Sequence, residues 1–550
     1  MAVTKRMWRW VTLVFPKGRI VMKPYALISV FNKTGIVEFA RELVALGWDI
    51  LSSGGTANRL RSSCVEVRDV ADLVGGGAIL GHRVVTLSRE IHAGLLARHT
   101  PEDEAEMEKL GLSYIDLVCV DMYPLEDEIN RPDATRESVI EKTDIGGPTM
   151  LSSGAKGRRI VICDPADRMR IINWLKAGKP NEDAFINELC AKADGCVAAY
   201  RLLSARYHSQ GAINGMVGTQ VCACKYGENP WQKPAGLYSI GSKDLMAIEK
   251  FELVEGTAPS FINWTDVDRM LQTMTHIAAA FDANRHAVPY ISLGVKHGNP
   301  CGADWESREE CSLACMVDGD LRAIFGGFVM VNYPIDEALA TVLLSHSMSN
   351  GGRRLLDGIV APGFSEDAIA YLKRKGDKCR LLANPALANL YLDSSTRFRL
   401  VRGNFLAQPN YTFVLDLNKL TRHGDCTREQ ENDVLLAWAI GSTSNSNTIT
   451  LVKNGMLIGN GVGQQDRVGA AKLALQRACD AGHDVHGAVA YSDSFFPFPD
   501  GPTVLAEAGI KVIMASSGSI KDKEVQAACA KLGVTLLMIP DSEGRGFFGH

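Results

Sequence analysis

The sequence predicts an α/β fold with mainly parallel sheets, divided into a smaller first part and a larger second part. Three observations predict it. Short apolar runs bounded by Gly, Asn or Pro alternate with stretches that repeat apolar residues at helical spacing, the pattern of β-α units. The alternation breaks around residues 215–235, where GMVGTQVCACKYGENPWQKPAGLYS is rich in turn formers and reads as a domain junction. The 550 residues, 46% hydrophobic and 22% charged, have an ordinary globular composition and suit roughly three or four domains.

Taken in order, YALISVF is a buried strand by its unbroken apolar run. NKTGIVEFARELVALG follows as a helix, with Val37, Ala40 and Val44 on one face and Gly47 closing it. WDILSSGGTANRL repeats the plan of strand, glycine turn and helix start. YIDLVCVDMYPL and RRIVICDP are further strands. Past the junction, AVPYISLGV, FGGFVMVN, DGIVAPG, TITLVKNGMLIGNG, VHGAVAYSDS and GIKVIMASSGS resume the alternation, with no short-period repeat. This second part, about 330 residues, is large enough for two subdomains.

Composition narrows the partners. A net charge of −4 gives no support to a nucleic-acid partner. No run of about 18 apolar residues occurs, so no membrane span is expected. The fourteen cysteines are scattered. Their nearest groupings, CAC (Cys222, Cys224) and CSLAC (Cys311, Cys315), match no common zinc spacing, so free thiols in a reducing cytoplasm and no metal site are expected. The first 23 residues are basic and carry no acid. Their apolar core WVTLVF stops at Pro16, too short for a signal peptide. We read them as an extension, with Met22 as the expected start; an intact mass that includes residues 1–21 would contradict this.

Several segments carry chemistry. SVFNKTG sets Ser29, Lys33 and Thr34 between a strand and a helix start, where free N–H groups and the positive helix end favour a phosphate. SSGGT, with Ser53, Gly54 and Thr56, offers a second such loop. Ser, Thr and Gly are also ordinary helix caps. DIGGPTMLSSGAKG holds Asp144 and Lys156, twelve residues apart and about 18 Å if the span were all helix, so spacing alone does not pair them. GNGVGQQDR lacks the G-x-G-x-x-G spacing of a dinucleotide site. SDSFFPFPDG crowds Phe495, Phe496 and Phe498, either a core corner or a slot for a flat ligand.

ISLGVKHGNPCGAD places Lys296 and His297 side by side where an apolar strand runs into a turn. Strand neighbours face opposite sides. At a strand end that alternation breaks, and both side chains can reach one pocket. The histidine can take a proton from a weak nucleophile. The lysine can stabilise a developing oxyanion. His297 and Cys301 lack a third ligand nearby, which argues against a metal.

VKHGNPCGA, KYGENPWQ, LDGIVAPGF, SNTITLVKNG, IGNGVGQQDR and SDSFFPFPDG together resemble the bifunctional AICAR transformylase/IMP cyclohydrolase family. SVFNKTG, SSGGT, MYP and DIGGPTML resemble its cyclohydrolase half, in the family's order, and the resemblance runs from about residue 24 to the end. It implies a methylglyoxal-synthase-like domain over 24–217, then a domain of two cytidine-deaminase-like halves over 218–550. It implies formyl transfer from 10-formyltetrahydrofolate to AICAR, and closure of the product FAICAR to IMP with loss of water. It also implies a homodimer with transformylase sites at the subunit interface, and no catalytic metal. On this resemblance His297 is the base on the attacking amine and Lys296 steadies the formyl oxygen. Asn447 assists the transfer and Asp357 is a pocket acid. Lys225, Tyr226, Arg467 and Arg545 hold nucleotide or folate, Phe495 lines the pocket, and Phe547 and His550, in an ending of altered spacing, are further substrate-binding candidates. In the first half it implies Tyr123, Asp144 and Lys156 as catalytic and Arg83 as a phosphate partner.

The chain also departs from the family. RVVTLSRE stands where RVKTLHP is usual, so Val85 replaces an active-site lysine and Ser88-Arg89 replaces His-Pro. Ser152 stands for an arginine, Lys225 for an arginine, Trp231 for a histidine and Gly501 for an asparagine. An aliphatic Val85 can neither donate a proton nor stabilise charge. The expectation is therefore a bifunctional enzyme, with a monofunctional transformylase carrying an impaired, nucleotide-binding first domain as the alternative.

Overall fold

A computed structural model describes residues 23–81 and 83–549. The expected start at Met22 and the site residue His550 lie outside the described residues. The chain divides into two compact units, the first ending at Thr219 and the second beginning at Gln220.

The first unit is built on strands β1 (Tyr25–Val30), β2 (Asp49–Ser52), β3 (Arg68–Asp69), β4 (Ile115–Asp121) and β5 (Ile160–Ile162). They form one sheet in the order β3-β2-β1-β4-β5, every pair parallel. Helices cover both faces, which is why the strands are apolar throughout. In β1 the side chains alternate: Ala26, Ile28 and Val30 enter one buried cluster, Tyr25 and Leu27 the other. Helix Gly146–Lys156 runs from the carboxyl edge of the sheet towards its amino edge. It lies close, because Gly154 leaves no Cβ to strike Val118, which would stand 2.7 Å away.

The second unit opens with a hairpin of β6 (Thr219–Cys224) and β7 (Ala235–Ser239). Its main sheet has twelve strands: β8 (Glu252–Glu255), β9 (Tyr290–Lys296), β10 (Asn299–Glu306), β11 (Phe328–Val331), β12 (Gly358–Ala361) and β13 (Arg380–Ala383), then, after a separate hairpin of β14 (Thr396–Val401) and β15 (Asn404–Pro409), β16 (Thr421–His423), β17 (Ile449–Lys453), β18 (Met456–Gly461), β19 (Val489–Ser492), β20 (Val512–Ser517) and β21 (Thr535–Pro540). The order is β16-β21-β20-β19-β17-β18-β10-β9-β11-β12-β13-β8. Read outward from the central β10–β18 pair, the halves are duplicates: hairpin, antiparallel step, two parallel steps, antiparallel edge strand.

Each half has a central helix, Phe261–Arg285 and Arg428–Ser442, started by a capping box, Ser260 with Asn263 and Thr427 with Gln430. The two helices pack together on one face of the sheet in a shared core that includes Met270, Met274, Trp438 and Leu435. Each half covers its other face with its own helices and its own core.

Two expectations need correction. The sheet of the second unit is mixed, not mainly parallel, because each half carries a tight antiparallel hairpin. And the Gly-Asn-Pro run after His297 is not an extended turn: the turn is two residues long and Asn299–Glu306 is strand β10. The stretch TITLVKNGMLIGNG likewise divides into β17 and β18 around Asn454-Gly455.

Candidate active sites

In the first unit the candidate residues gather at the carboxyl edge of the parallel sheet, the side where such sheets bind ligands. Ser29 and the loop Phe31–Thr34 leave β1, and Ser53 and Gly54 leave β2 into the free amino end of helix Gly54–Ser62. Thr56 is not free to meet a ligand. It is buried and its hydroxyl bonds the backbone of Val30, accepting at 3.2 Å and donating at 3.1 Å. Lys33 folds back on its own loop, its Nζ donating to the carbonyls of Val30 (2.6 Å) and Phe31 (3.1 Å). Burial holds its ammonium below the usual lysine value, and Asp121 opposes that.

Sequence reasoning missed what holds this loop. The Asp121 carboxylate accepts the N–H groups of Phe31 and Asn32, and the buried Arg168 donates to the Thr34 carbonyl at 2.7 Å and lies 3.6 Å from Asp121. Asp121 ends β4 and Arg168 lies beyond β5, so no local pattern announces them.

Tyr123 follows β4, is 45% exposed and meets Phe31 edge-on at 5.7 Å. The Lys142 ammonium lies 5.9 Å from both rings. Asp144 stands at the start of helix Gly146–Lys156, its carboxylate accepting the N–H of Gly147 at 2.9 Å and that of Tyr123. Burial pushes its carboxyl up, and burial then the Asp144 charge pushes the Tyr123 phenol up. The structure thus joins Tyr123 to Asp144. It does not join Lys156, which ends the same helix about 15 Å further along its axis. Arg83 pairs with Glu141 at 2.6 Å. Val85 packs against the core, and Ser88 caps helix Arg89–Leu96, accepting the Ile91 N–H. The substitutions that depart from the family therefore have structural employment.

In the second unit, Lys296 and His297 sit on the β9–β10 hairpin. Lys296 pairs with Asn299 across a two-residue turn, and His297 (φ 53°) and Gly298 (φ 72°) both adopt positive φ. That is the type I′ geometry whose twist suits a hairpin, and histidine tolerates it better than most residues. The turn answers why the two side chains adjoin: His297 is in the turn itself, exposed, while Lys296 is the last strand residue. Lys296 Nζ donates to the carbonyl of Phe325, on the loop Phe325–Gly327.

Two groups on helix Phe261–Arg285 brace the turn. Asp266 accepts the Gly298 N–H, and its carboxyl feels the charges of His297 and Asp357. Asp357 is half-buried and paired with Arg374 at 3.2 Å. Arg269 donates to the Phe548 carbonyl and to Asn445 Oδ1, both at 2.7 Å, lies 5.1 Å from the Phe548 ring, and would stand 3.3 Å from a Cβ on Gly298. One guanidinium therefore ties the loop of Asn447 to the carboxyl-terminal tail, and the stem of the same side chain packs beside Gly298 of the His297 turn. Asn447 is fixed by its side-chain amide donating to the Gln464 carbonyl at 2.9 Å.

The remaining candidates stand differently. Arg467 pairs with the buried Asp493 at 3.1 Å, and Asp493 also accepts the Thr448 N–H. Arg545 pairs with Asp541 on its own helix. Both arginines carry a carboxylate partner. Phe495 is half-buried, whereas Phe496 is core and Phe498 is exposed, so the aromatic run divides between both readings. Gly501 is packed against the Phe496 ring, which a Cβ would meet at 2.7 Å. Lys225 is exposed and Tyr226 half-buried just past β6; Trp231 is 78% exposed. Phe547 is half-buried in the tail. Among the described residues no group of three or more His, Cys, Asp or Glu could hold a metal, and no helix is long and apolar enough to cross a membrane.

Comparison with known proteins decides the family. The model of the AICARFT/IMPCHase bienzyme matches residues 156–477, and an MGS-like domain matches 35–149. The chain belongs to the AICARFT/IMPCHase family. It is similar to the bifunctional purine biosynthesis protein PurH of Bacillus cytotoxicus, 34% identical over 527 residues, 94% of this chain and 98% of that protein. It is similar to the protein of the same name from Pelodictyon phaeoclathratiforme, 33% identical over 91% of this chain and 94% of that one. The protein from Persephonella marina is 32% identical over 93% of this chain and 98% of its own length. These matches span both units, and the MGS-like and larger domains follow in the expected order.

Proposed function

We propose that this member of the family is a bifunctional purine-biosynthesis enzyme, a formyltransferase in its second unit and a cyclohydrolase in its first. The observation that carries the transfer reading is the junction at Arg269, which gathers the Lys296-His297 turn, the Asn447 loop and the tail. The donor is a folate-type formyl carrier, which we take to be 10-formyltetrahydrofolate, and the acceptor is AICAR. The acceptor amine is delocalised into its imidazole and is a poor nucleophile. His297 takes its proton as nitrogen attacks the formyl carbon. Lys296 stands where the carbonyl oxygen gains charge. The C–N bond to the folate then breaks, the folate nitrogen takes a proton, and FAICAR leaves. Asp357 and Asn447 orient the acceptor, with Lys225, Tyr226 and Phe495 as binding residues.

In the first unit the carboxamide nitrogen of FAICAR attacks its formyl carbon and water departs. Tyr123 and Asp144 are our candidates for the proton transfers, and the uncapped helix start at Ser53–Gly54, beside the Ser29–Thr34 loop, is our candidate phosphate cradle. A silent first domain is not favoured: the family relatives match 94% and 91% of the chain. We assign residues 24–217 to closure and 218–550 to transfer, and expect a cytoplasmic homodimer.

The test uses two incubations of purified protein against enzyme-free controls. One holds AICAR with 10-formyltetrahydrofolate, the other synthetic FAICAR. IMP above control in both supports the reading. FAICAR accumulating in the first without accelerated closure in the second would leave a transformylase alone. No product in either would overturn both activities.

A further inference from the structure

The loop that follows β1 is held from two sides by groups remote in sequence. Asp121 ends β4 and pairs with Val30, the last residue of β1. Its carboxylate accepts the N–H of Phe31 and, at 3.1 Å, that of Asn32. Arg168, in the first turn of helix Asp167–Lys176, donates to the Thr34 carbonyl at 2.7 Å, and another of its nitrogens lies 3.6 Å from the same carboxylate. Both side chains are largely withdrawn from water, Asp121 14% and Arg168 5% exposed. The Thr34 N–H goes to the Asn32 side chain at 2.9 Å. The amides of Phe31, Asn32 and Thr34 are therefore spent inside the protein, and what the loop presents is Lys33. Its ammonium gives two of its three N–H groups to the carbonyls of Val30 and Phe31. Its Cε would stand 3.6 Å from a Cβ on Gly55, in the first turn of helix Gly54–Ser62, whose start has no side-chain cap. The end of Lys33 thus lies beside an uncapped helix start with one N–H still to give, so that a cation and a helix terminus act on the same anion.

We propose that Asp121 and Arg168 are positioning residues for ring closure: one ion pair clamps the loop, Asp121 by its amides and Arg168 by its carbonyl, and so holds the Lys33 ammonium against a phosphate at the start of helix Gly54–Ser62. This rests on the reading of that helix start as the phosphate cradle. The sign of the effect separates position from charge. As a mere charge Asp121 would repel the phosphate, and its removal would tighten binding. As a clamp it aims Lys33, and its removal weakens binding although a negative charge has gone.

Asp121→Asn keeps one oxygen for the loop and gives up the ion pair. The KM for FAICAR in closure should rise about tenfold, as for the loss of one charge-assisted hydrogen bond. The kcat should change little, because the phosphate is held alike in ground and transition states. Inorganic phosphate should inhibit closure more weakly by a similar factor, and formyl transfer should keep its rate. Lys33→Met should raise KM at least as much. Lys33→Met/Asp121→Asn should be no worse than Lys33→Met, since Asp121 acts through that ammonium. An unchanged or lower KM in Asp121→Asn, or additive losses in the double variant, would overturn the proposal. If an unpaired Arg168 keeps Asp121→Asn from folding, Asp121→Asn/Arg168→Gln removes both charges and is held to the same outcomes. Wild-type KM and phosphate inhibition in Lys33→Met would instead defeat the reading of the cradle; an impaired Lys33→Met beside a normal Asp121→Asn defeats this inference alone.

Discussion

The two halves of the second unit share a topology, a central helix, a buried acid at the same helix position and a Lys-X-Gly hairpin turn, yet one turn carries His297 and the other Asn454. Both residues suit positive φ, so the fold accepts either. The difference lies in what surrounds them. The His297 turn lies beside Asp357 and Arg269, and through Arg269 it meets the Asn447 loop and the tail. The Asn454 turn has its own Asp433 brace, and the neighbouring Lys453 bonds Asp484 at 3.0 Å. Duplication supplies the scaffold twice; the chemistry needs one histidine in one setting.

The comparison can be broken most severely at Lys296. Lys296→Ala should lower formyl transfer by about 100- to 1000-fold, the cost of removing one oxyanion donor, while FAICAR closure is unchanged. Lys453→Ala, its counterpart, should change neither rate. Comparable losses in both variants would show that the halves are not functionally distinct.

Arg269→Ala should follow. It removes two hydrogen bonds and leaves the Asn445 amide and the Phe548 carbonyl short of a donor, so transfer should fall about 10- to 100-fold through misplacement of the Asn447 loop. A variant with full kcat and KM would show that the gathering is incidental. In the first unit, Tyr123→Phe should slow closure of FAICAR about tenfold and leave transfer untouched, because its phenol is the proton-bearing group beside Asp144.

Much of this was legible in the sequence and some could not have been. The β-α units of the first half announce themselves by apolar runs and glycine turns, and KHG placed two reactive side chains at a strand end. Asp266 and Arg269 were invisible. They sit on a largely buried central helix as ordinary polar residues, and Arg269 reaches Asn445 and Phe548, which are 176 and 279 positions away. The resemblance implied two like halves, but the residues did not show where they repeat, because the halves share a strand pattern rather than residues, and because HGNP hid a two-residue turn behind Asn and Pro that belong to β10. Arg467 and Arg545 read as ligand arginines, and their carboxylate partners, one distant in sequence and one a helical turn away, were not legible. Lys156 lay at a distance that the straightness of its helix decides.

A separate effect concerns stability. Asp304, on β10 where the halves meet, is fully buried and neither carboxyl oxygen has a partner; burial pushes its carboxyl up to about 9. A raised folded value means the native state holds a proton the unfolded chain has lost. The stability is complete below about pH 4 and declines as pH rises towards 9. Asp304→Asn needs no proton, so it should be more stable than wild type at pH 8 by at least ~2 kcal/mol, an advantage that shrinks by about 1.4 kcal/mol per pH unit on acidification. Thermal or urea unfolding at pH 5 and pH 8 reads this, and a pH-independent difference would contradict it.

The most direct measurement is single-turnover formyl transfer by His297→Asn. The change turns Lys-His-Gly into the Lys-Asn-Gly already present in the other half, so the turn should form and the protein should keep its melting temperature and its rate of FAICAR closure. The account predicts a loss of transfer of about 100-fold or more. Transfer near the wild-type rate would show that the imidazole is dispensable and that the His297 turn is as structural as its twin.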